Sequence, residues 1–214
     1  MARTHVPDPD ALSPRTKPQQ RRAIERRQAI LDATLALLET HGIDTLSTTL
    51  IASRAGVPVA SVYGYFPNKM AIIAALMRAA MAEVDASLET LLPIRSDRAA
   101  IEAAIDRAID TIIAGYRASP ARQRLFSAVR GNTALEPVAR ESDQRMTEAL
   151  TQAVATLRPD LPPARARAVA ETLVRTFTAL QEGVVTCADP ALFVALVAEW
   201  RALVKRYVLP LVEK

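Results

Sequence analysis

A chain of 214 residues, half of them apolar, is long enough to bury one large or two small cores, and no run of about 18 uninterrupted apolar residues suggests a membrane span. The formal charge of +4 is modest, yet Arg15, Lys17, Arg21, Arg22, Arg26 and Arg27 against the lone acid Glu25 would account for all of it within one short arm. A single cysteine, Cys187, excludes an internal disulfide and fits a reducing compartment, and no apolar h-region follows Met1, so a cytoplasmic protein is expected.

The chain opens on Pro7, Pro9, Pro14 and Pro18, which leave no room for a stable helix before Gln19, and residues 1–20 are expected to form a disordered leader. From about Gln20 or Arg21 to His41 the pattern is helical. Ile30, Leu31, Thr34, Leu35, Leu37 and Leu38 make a broad apolar face, and Gly42 is placed to end the helix. The arginines fall in its first turns. There they suit phosphate attraction by counterion release or insertion into a minor groove, with a solvated tail as the plainer alternative.

Ser47 to Lys69, STTLIASRAGVPVASVYGYFPNK, holds the densest set of signals. Ser47 offers a side-chain oxygen to the orphan N–H groups of a helix carrying Ile51, Ala52 and Ala55 on one face. Gly56 supplies the left-handed residue that reverses the chain, Val57 turns inward, and Pro58 suits the first position of the next helix. Two short helices around a glycine-containing turn form the helix-turn-helix pattern, whose second helix enters the major groove. Val59, Ala60, Ser61 and Gly64 then face base edges, and Val62 and Phe66 are buried beneath them. Tyr63, Tyr65 and Lys69 suit phosphate at the rim, and Thr48 and Thr49 offer hydroxyls and N–H groups to the same strand. An aromatic cluster at this spacing also suits a core, the assignment made for Phe66.

These residues resemble the TetR family of bacterial transcriptional regulators. The likeness runs from Ile30 to Leu76 and rests on Gly42, the Ile51-Ala52 pair, the Ala55-Gly56-Val57 turn, the Tyr63-x-Tyr65-Phe66 cluster and Asn68-Lys69. Leu38 stands where the family usually has phenylalanine, Ala60 where glycine is common, and Gly64 where a larger polar residue is usual. The last two departures thin out the side chains able to read bases. Val59, Ala60 and Gly64 cannot form bidentate hydrogen bonds, so recognition should lean on thymine methyls, Ser61 and DNA shape.

From Asn68 a long helix is expected to about Leu91, with Ile72, Ile73, Leu76, Met77, Ala80, Val84, Leu88 and Leu91 inward and Pro93 as its stop. It is too long for the head alone and serves as the connector. Asp97 should cap a helix ending near Arg117, and Ser119-Pro120 open another that runs through Val129 to Gly131. A third covers Leu135 or Glu136 to Leu157, Pro162-Pro163 starts a fourth, and the last runs from Asp189-Pro190 to a stop before Pro210. The class is all-α: a leader (1–20), a helix-turn-helix DNA-binding domain (21–67) and a helical effector-binding and dimerisation domain (68–214).

The last two helices are apolar over more of their circumference than one core needs, which points to a homodimer through a four-helix interface, the alternative being burial within the monomer. The resemblance implies the same dimer, a pseudo-palindromic double-stranded DNA operator, and a small organic effector whose binding releases DNA. Phe126, Arg130, Met146, Phe177 and Gln181 are the candidate effector contacts, because a cavity between helices would be apolar with a few polar groups. Arg130 would answer an anionic effector, or simply pair with Glu136 or Asp143. His5, His41 and Cys187 make no metal set, and no phosphate loop or nucleophile motif occurs, so neither catalysis nor a cofactor is expected. A body that binds a protein partner or nothing, or an activator, remains the alternative to a repressor.

Overall fold

The computed structural model describes residues 18–92, 97–128, 132 and 135–212. Within them every regular element is a helix. They are α1 (Pro18–Leu38), a short 3-10 helix (Ile43–Thr45), α2 (Thr48–Ala55), α3 (Val59–Tyr65), α4 (Lys69–Glu89), α5 (Arg98–Arg117), α6 (Pro120–Ser127), α7 (Glu136–Leu157), α8 (Pro163–Val185) and α9 (Pro190–Val212).

Helix starts follow local capping chemistry. Ser47, Asn68, Asp97 and Ser119 each sit in extended backbone and accept an N–H bond through the side chain, from Leu50, Ala71, Ala100 and Arg122 respectively. Gly56 closes α2 at φ 65°, a conformation in which any side chain with a Cβ is strained. Pro58 proves to be the residue before α3 rather than its first.

Three sequence expectations move. Helix α1 opens at Pro18, inside the segment expected as a leader, because a proline at the first helical position loses only an N–H that would be unpaired anyway. It also ends at Leu38, not at His41, the last residues turning off through bonds to the Ala36 and Leu37 carbonyls. Helix α9 runs through Pro210 to Val212, since a proline this close to the end removes a single backbone bond, and the Leu211 carbonyl is taken up by the guanidinium of Arg158. The expected reach of α6 to Gly131, and the stop at Pro93, lie outside the described residues.

Two buried clusters form. In the first, Ile30 and Leu38 of α1, Ile51 of α2, Val62 of α3 and Ile72, Ile73 and Met77 of α4 are sealed together, joined by Leu125 of α6 and Leu135. In the second, Val84 of α4 meets Ile101, Ile105 and Ile109 of α5, Val169 and Leu173 of α8, and Trp200 and Val204 of α9. Each of these side chains contributes about 1.5–3 kcal/mol by leaving water. Helix α4, 21 residues and so about 30 Å long, belongs to both clusters and ties them mechanically. Leu35, expected on the inner face of α1, lies outside at 37% exposure, because the buried stripe is Ile30, Leu31, Thr34, Leu37 and Leu38 and Leu35 falls beyond its edge. Thr34 is fully buried within that stripe and satisfies its hydroxyl on the Ile30 carbonyl at 2.7 Å.

Candidate nucleic-acid interface and effector cavity

Helix α3 is pinned from below by Val62, which is fully buried, and by Phe66 just past its end. Its other side is open. Ala60, Tyr63 and Gly64 are exposed, Ser61 and Val59 are half-buried, and Tyr65 is half-buried against the first cluster. The helix N-terminal turn therefore offers a shallow, nearly side-chain-free surface, with the Tyr63 ring standing 55% exposed at its edge.

Helices α2 and α3 are joined at that edge by a hydroxyl pair: Thr48 Oγ1 and Tyr63 Oη lie 3.1 Å apart. Thr49 is exposed beside them. The sequence reading gave these side chains separate phosphate roles; the structure makes two of them one unit. Lys69 is turned inward instead of standing free, donating from Nζ to the carbonyls of Ile43 at 2.8 Å and Asp44 at 3.3 Å. Its ammonium thereby fastens the start of α4 to the 3-10 helix, and sequence spacing gave no hint of this because the partners are backbone oxygens 25 and 26 residues away. Arg27 of α1 lies over the Phe66 ring at 5.6 Å, a cation–π contact that sets one arginine of the basic helix against the end of α3. Arg21, Arg22 and Arg26 are exposed, Arg21 within 3.0 Å of Glu25.

The second site lies among α4, α5, α7, α8 and α9. Its inner chamber, about 210 Å³, is lined almost wholly by aliphatic side chains such as Val84, Leu88, Ile105, Leu150 and Leu173. Phe126, Met146, Phe177 and Gln181 of the sequence-predicted set all reach it, and Arg130 lies outside the described residues. A wider outer chamber of about 590 Å³ shares Met81, Tyr116, Phe126, Ala139, Thr178 and Gln181 with it. Between them the Gln181 amide donates to the Tyr116 hydroxyl at 2.7 Å, and the Tyr116 ring stacks on Phe126 with centroids 3.7 Å apart.

The polar groups of the inner chamber are engaged with one another. Asp85, 7% exposed, accepts from Ser142 at 2.9 Å and from Arg145 at 2.8 Å. Asp143 accepts from Thr178 at 3.3 Å. Burial pushes its carboxyl above the ordinary carboxylate value, and nearby Asp85 adds to this, while the Thr178 hydroxyl and Arg175 act the other way. Arg158 is held by Asp160 at 2.6 Å and 2.8 Å and by the Leu211 carbonyl. Sequence reading missed Asp85 and Tyr116, and named Asp143 only as a partner for Arg130. One signal was present: Asp85 falls at helical spacing between Met81 and Leu88, a charge on an otherwise apolar stripe.

Among the described residues no group of three or more potential metal ligands occurs, and no helix is long and apolar enough to cross a membrane. On the outer surface Leu192, Val194 and Leu203 of α9 are at least half exposed.

The chain is similar to known proteins along both halves. A model described as bacterial regulatory proteins, tetR family, matches residues 30–76, and one described as tetracyclin repressor-like, C-terminal domain, matches residues 100–207. The HTH-type transcriptional repressor KstR of Mycolicibacterium smegmatis is 35% identical over 77 residues, 36% of this chain and 34% of that protein. The chain thus matches about a third of the length of its curated relatives. A TetR-family transcriptional regulator from Streptomyces coelicolor superposes with a TM-score of 0.64 at 27% identity, covering 89% of this chain and 99% of that one. For a TetR-family regulator from Pectobacterium atrosepticum the TM-score is 0.70 at 17% identity, with 94% and 99% covered, a likeness of fold.

Proposed function

Because this chain belongs to the tetR family of bacterial regulatory proteins, with the C-terminal family model alone spanning half of it, we propose that it is a homodimeric, sequence-specific DNA-binding regulator that represses transcription until a small organic effector releases it. The observation that carries the reading is the two-sidedness of α3: Val62 and Phe66 lock it into the core while Ala60, Tyr63 and Gly64 face outward. A helix held that rigidly, with so little side chain on its outer face, suits close approach of backbone to the floor of a major groove.

In this reading Val59, Ala60 and Ser61 meet base edges, while Thr48, Thr49, Tyr63 and Tyr65 hold phosphates. Lys69 acts chiefly by holding the head in shape, its ammonium being committed to two carbonyls. Exposed Leu192, Val194 and Leu203 support a dimer built on α8 and α9, which would set two heads at a fixed separation for a pseudo-palindromic operator. The inner chamber supports an effector site that includes Phe126, Met146, Phe177 and Gln181. Since α4 lines the chamber and also carries the head, an effector that fits only one position of α4 shifts the population between DNA-binding and released forms by its differential affinity.

Selection of bound duplexes from random DNA, repeated at rising salt, tests this. The expected result is an inverted repeat whose half-sites are about one helical turn apart, with affinity falling steeply as salt rises. A chain that binds no duplex at low ionic strength would overturn the proposal.

A further inference from the structure

We propose that the molecule filling these two chambers is an anionic amphiphile, with its apolar chain in the inner chamber and its anionic headgroup on Arg117 in the outer one. The proposal rests on the effector reading above and adds the chemical class.

The inner chamber has room for apolar matter and none for a new charge of the anionic kind. Its carboxylates, Asp85 and Asp143, would repel an anion, and each already has an arginine near it, Arg145 and Arg175. Arg158 is spent on Asp160 and a carbonyl. A chain without polar atoms meets mostly aliphatic and aromatic walls there and brings no polar group of its own to desolvate.

The outer chamber is of different character. Its described lining includes Gln123, Ser127 and Thr186, and Arg117 is its one charged member. The Arg117 guanidinium donates a single 3.3 Å hydrogen bond to the Cys187 carbonyl and lies over the Phe193 ring at 4.1 Å, and among the described residues it meets no carboxylate. It is therefore held in place by a ring and a carbonyl with no described carboxylate against it, and its planar fork of donors matches a carboxylate or similar anion. Because Tyr116, Phe126 and Gln181 wall both chambers, a single molecule spans them once the Tyr116–Gln181 bond opens.

Decanoate, decanol and decylammonium share one chain length and differ in headgroup charge, so their titration into the full chain isolates the headgroup. Calorimetry gives affinity. Emission of Trp200, the chain's only tryptophan, reports occupancy of the inner chamber, because its ring meets the lining residue Phe177 edge-on at 5.3 Å. Decanoate should bind tightest. Arg117→Gln should weaken decanoate about tenfold and leave decanol unchanged, with Arg117→Lys between the two. Arg117 is exposed, so both variants should fold, and unchanged melting checks this. Decanol or decylammonium binding as tightly as decanoate, or Arg117→Gln weakening all three alike, would overturn the anionic class while leaving an effector cavity standing. Binding of none of the three, with Trp200 emission unmoved, would overturn the amphiphile class itself.

Discussion

The ammonium of Lys69 donates a 2.8 Å hydrogen bond to the carbonyl of Ile43, so that the first residue of α4 holds the turn that precedes α2. A charged donor on a partly buried carbonyl is worth about 1 kcal/mol or somewhat more. Lys69→Ala should lower the melting midpoint by a corresponding few degrees and weaken binding to every duplex alike. Melting curves and filter-binding on two unrelated sequences check this, and altered sequence preference at undiminished affinity would contradict it.

The hydroxyl pair of Thr48 and Tyr63 spans α2 and α3 on an exposed surface. Tyr63→Phe should change stability by less than about 0.5 kcal/mol, as most surface changes do. DNA affinity should fall, because the bond both orients the ring and presents an oxygen to phosphate. Comparing affinity for selected and scrambled duplexes would show a uniform loss if this is correct.

Ala60 is exposed on the open side of α3 and carries no donor. Ala60→Arg adds a fork able to bond guanine in the major groove, a contact worth about 1–3 kcal/mol of discrimination. The selected half-site should gain a guanine, read by repeating the random-sequence selection with the variant.

Asp143 has its carboxyl raised mainly by burial. A raised acid binds more protons folded than unfolded between its unfolded and folded values, so stability falls as pH rises through that window. Below the unfolded carboxylate range of about 4 the penalty disappears. Asp143→Asn should therefore melt higher than the parent at neutral pH, the difference shrinking towards acid. A pH series of melting midpoints tests the sign.

Gly115 lets α5 lie close to α4: a Cβ there would stand 2.6 Å from Val84 Cγ2. Gly115→Ala should cost about 1–3 kcal/mol through overpacking. Adding Val84→Ala should recover part of that loss, so the double variant is more stable than the sum of the singles predicts.

Local chemistry made much of this legible. Ser47, Gly56, Asn68, Asp97 and Ser119 govern their own helix ends through side chains or backbone conformations that act within three or four residues, and each acts as its type suggests. The inward stripes of α4 and α5 are equally local, set by a 3.6-residue period. Where position along the chain overrode type, the reading slipped: Pro18 begins a helix, Pro210 is passed through, and Leu35 sits outside a stripe it seemed to share.

The sequence by itself determined an all-helical chain with a helix-turn-helix near its start, because caps, turn glycine and apolar period are properties of neighbouring residues. Only the tertiary structure decided that Lys69 turns onto carbonyls, that Asp85 is buried with Ser142 and Arg145, and that Tyr116 and Gln181 divide a cavity in two. Those pairings join residues some 25 to 65 positions apart. Whether a polar side chain meets water, a carbonyl or a partner across a helix interface depends on which helices pack together, and one chain's pattern of residue types carries no direct record of that.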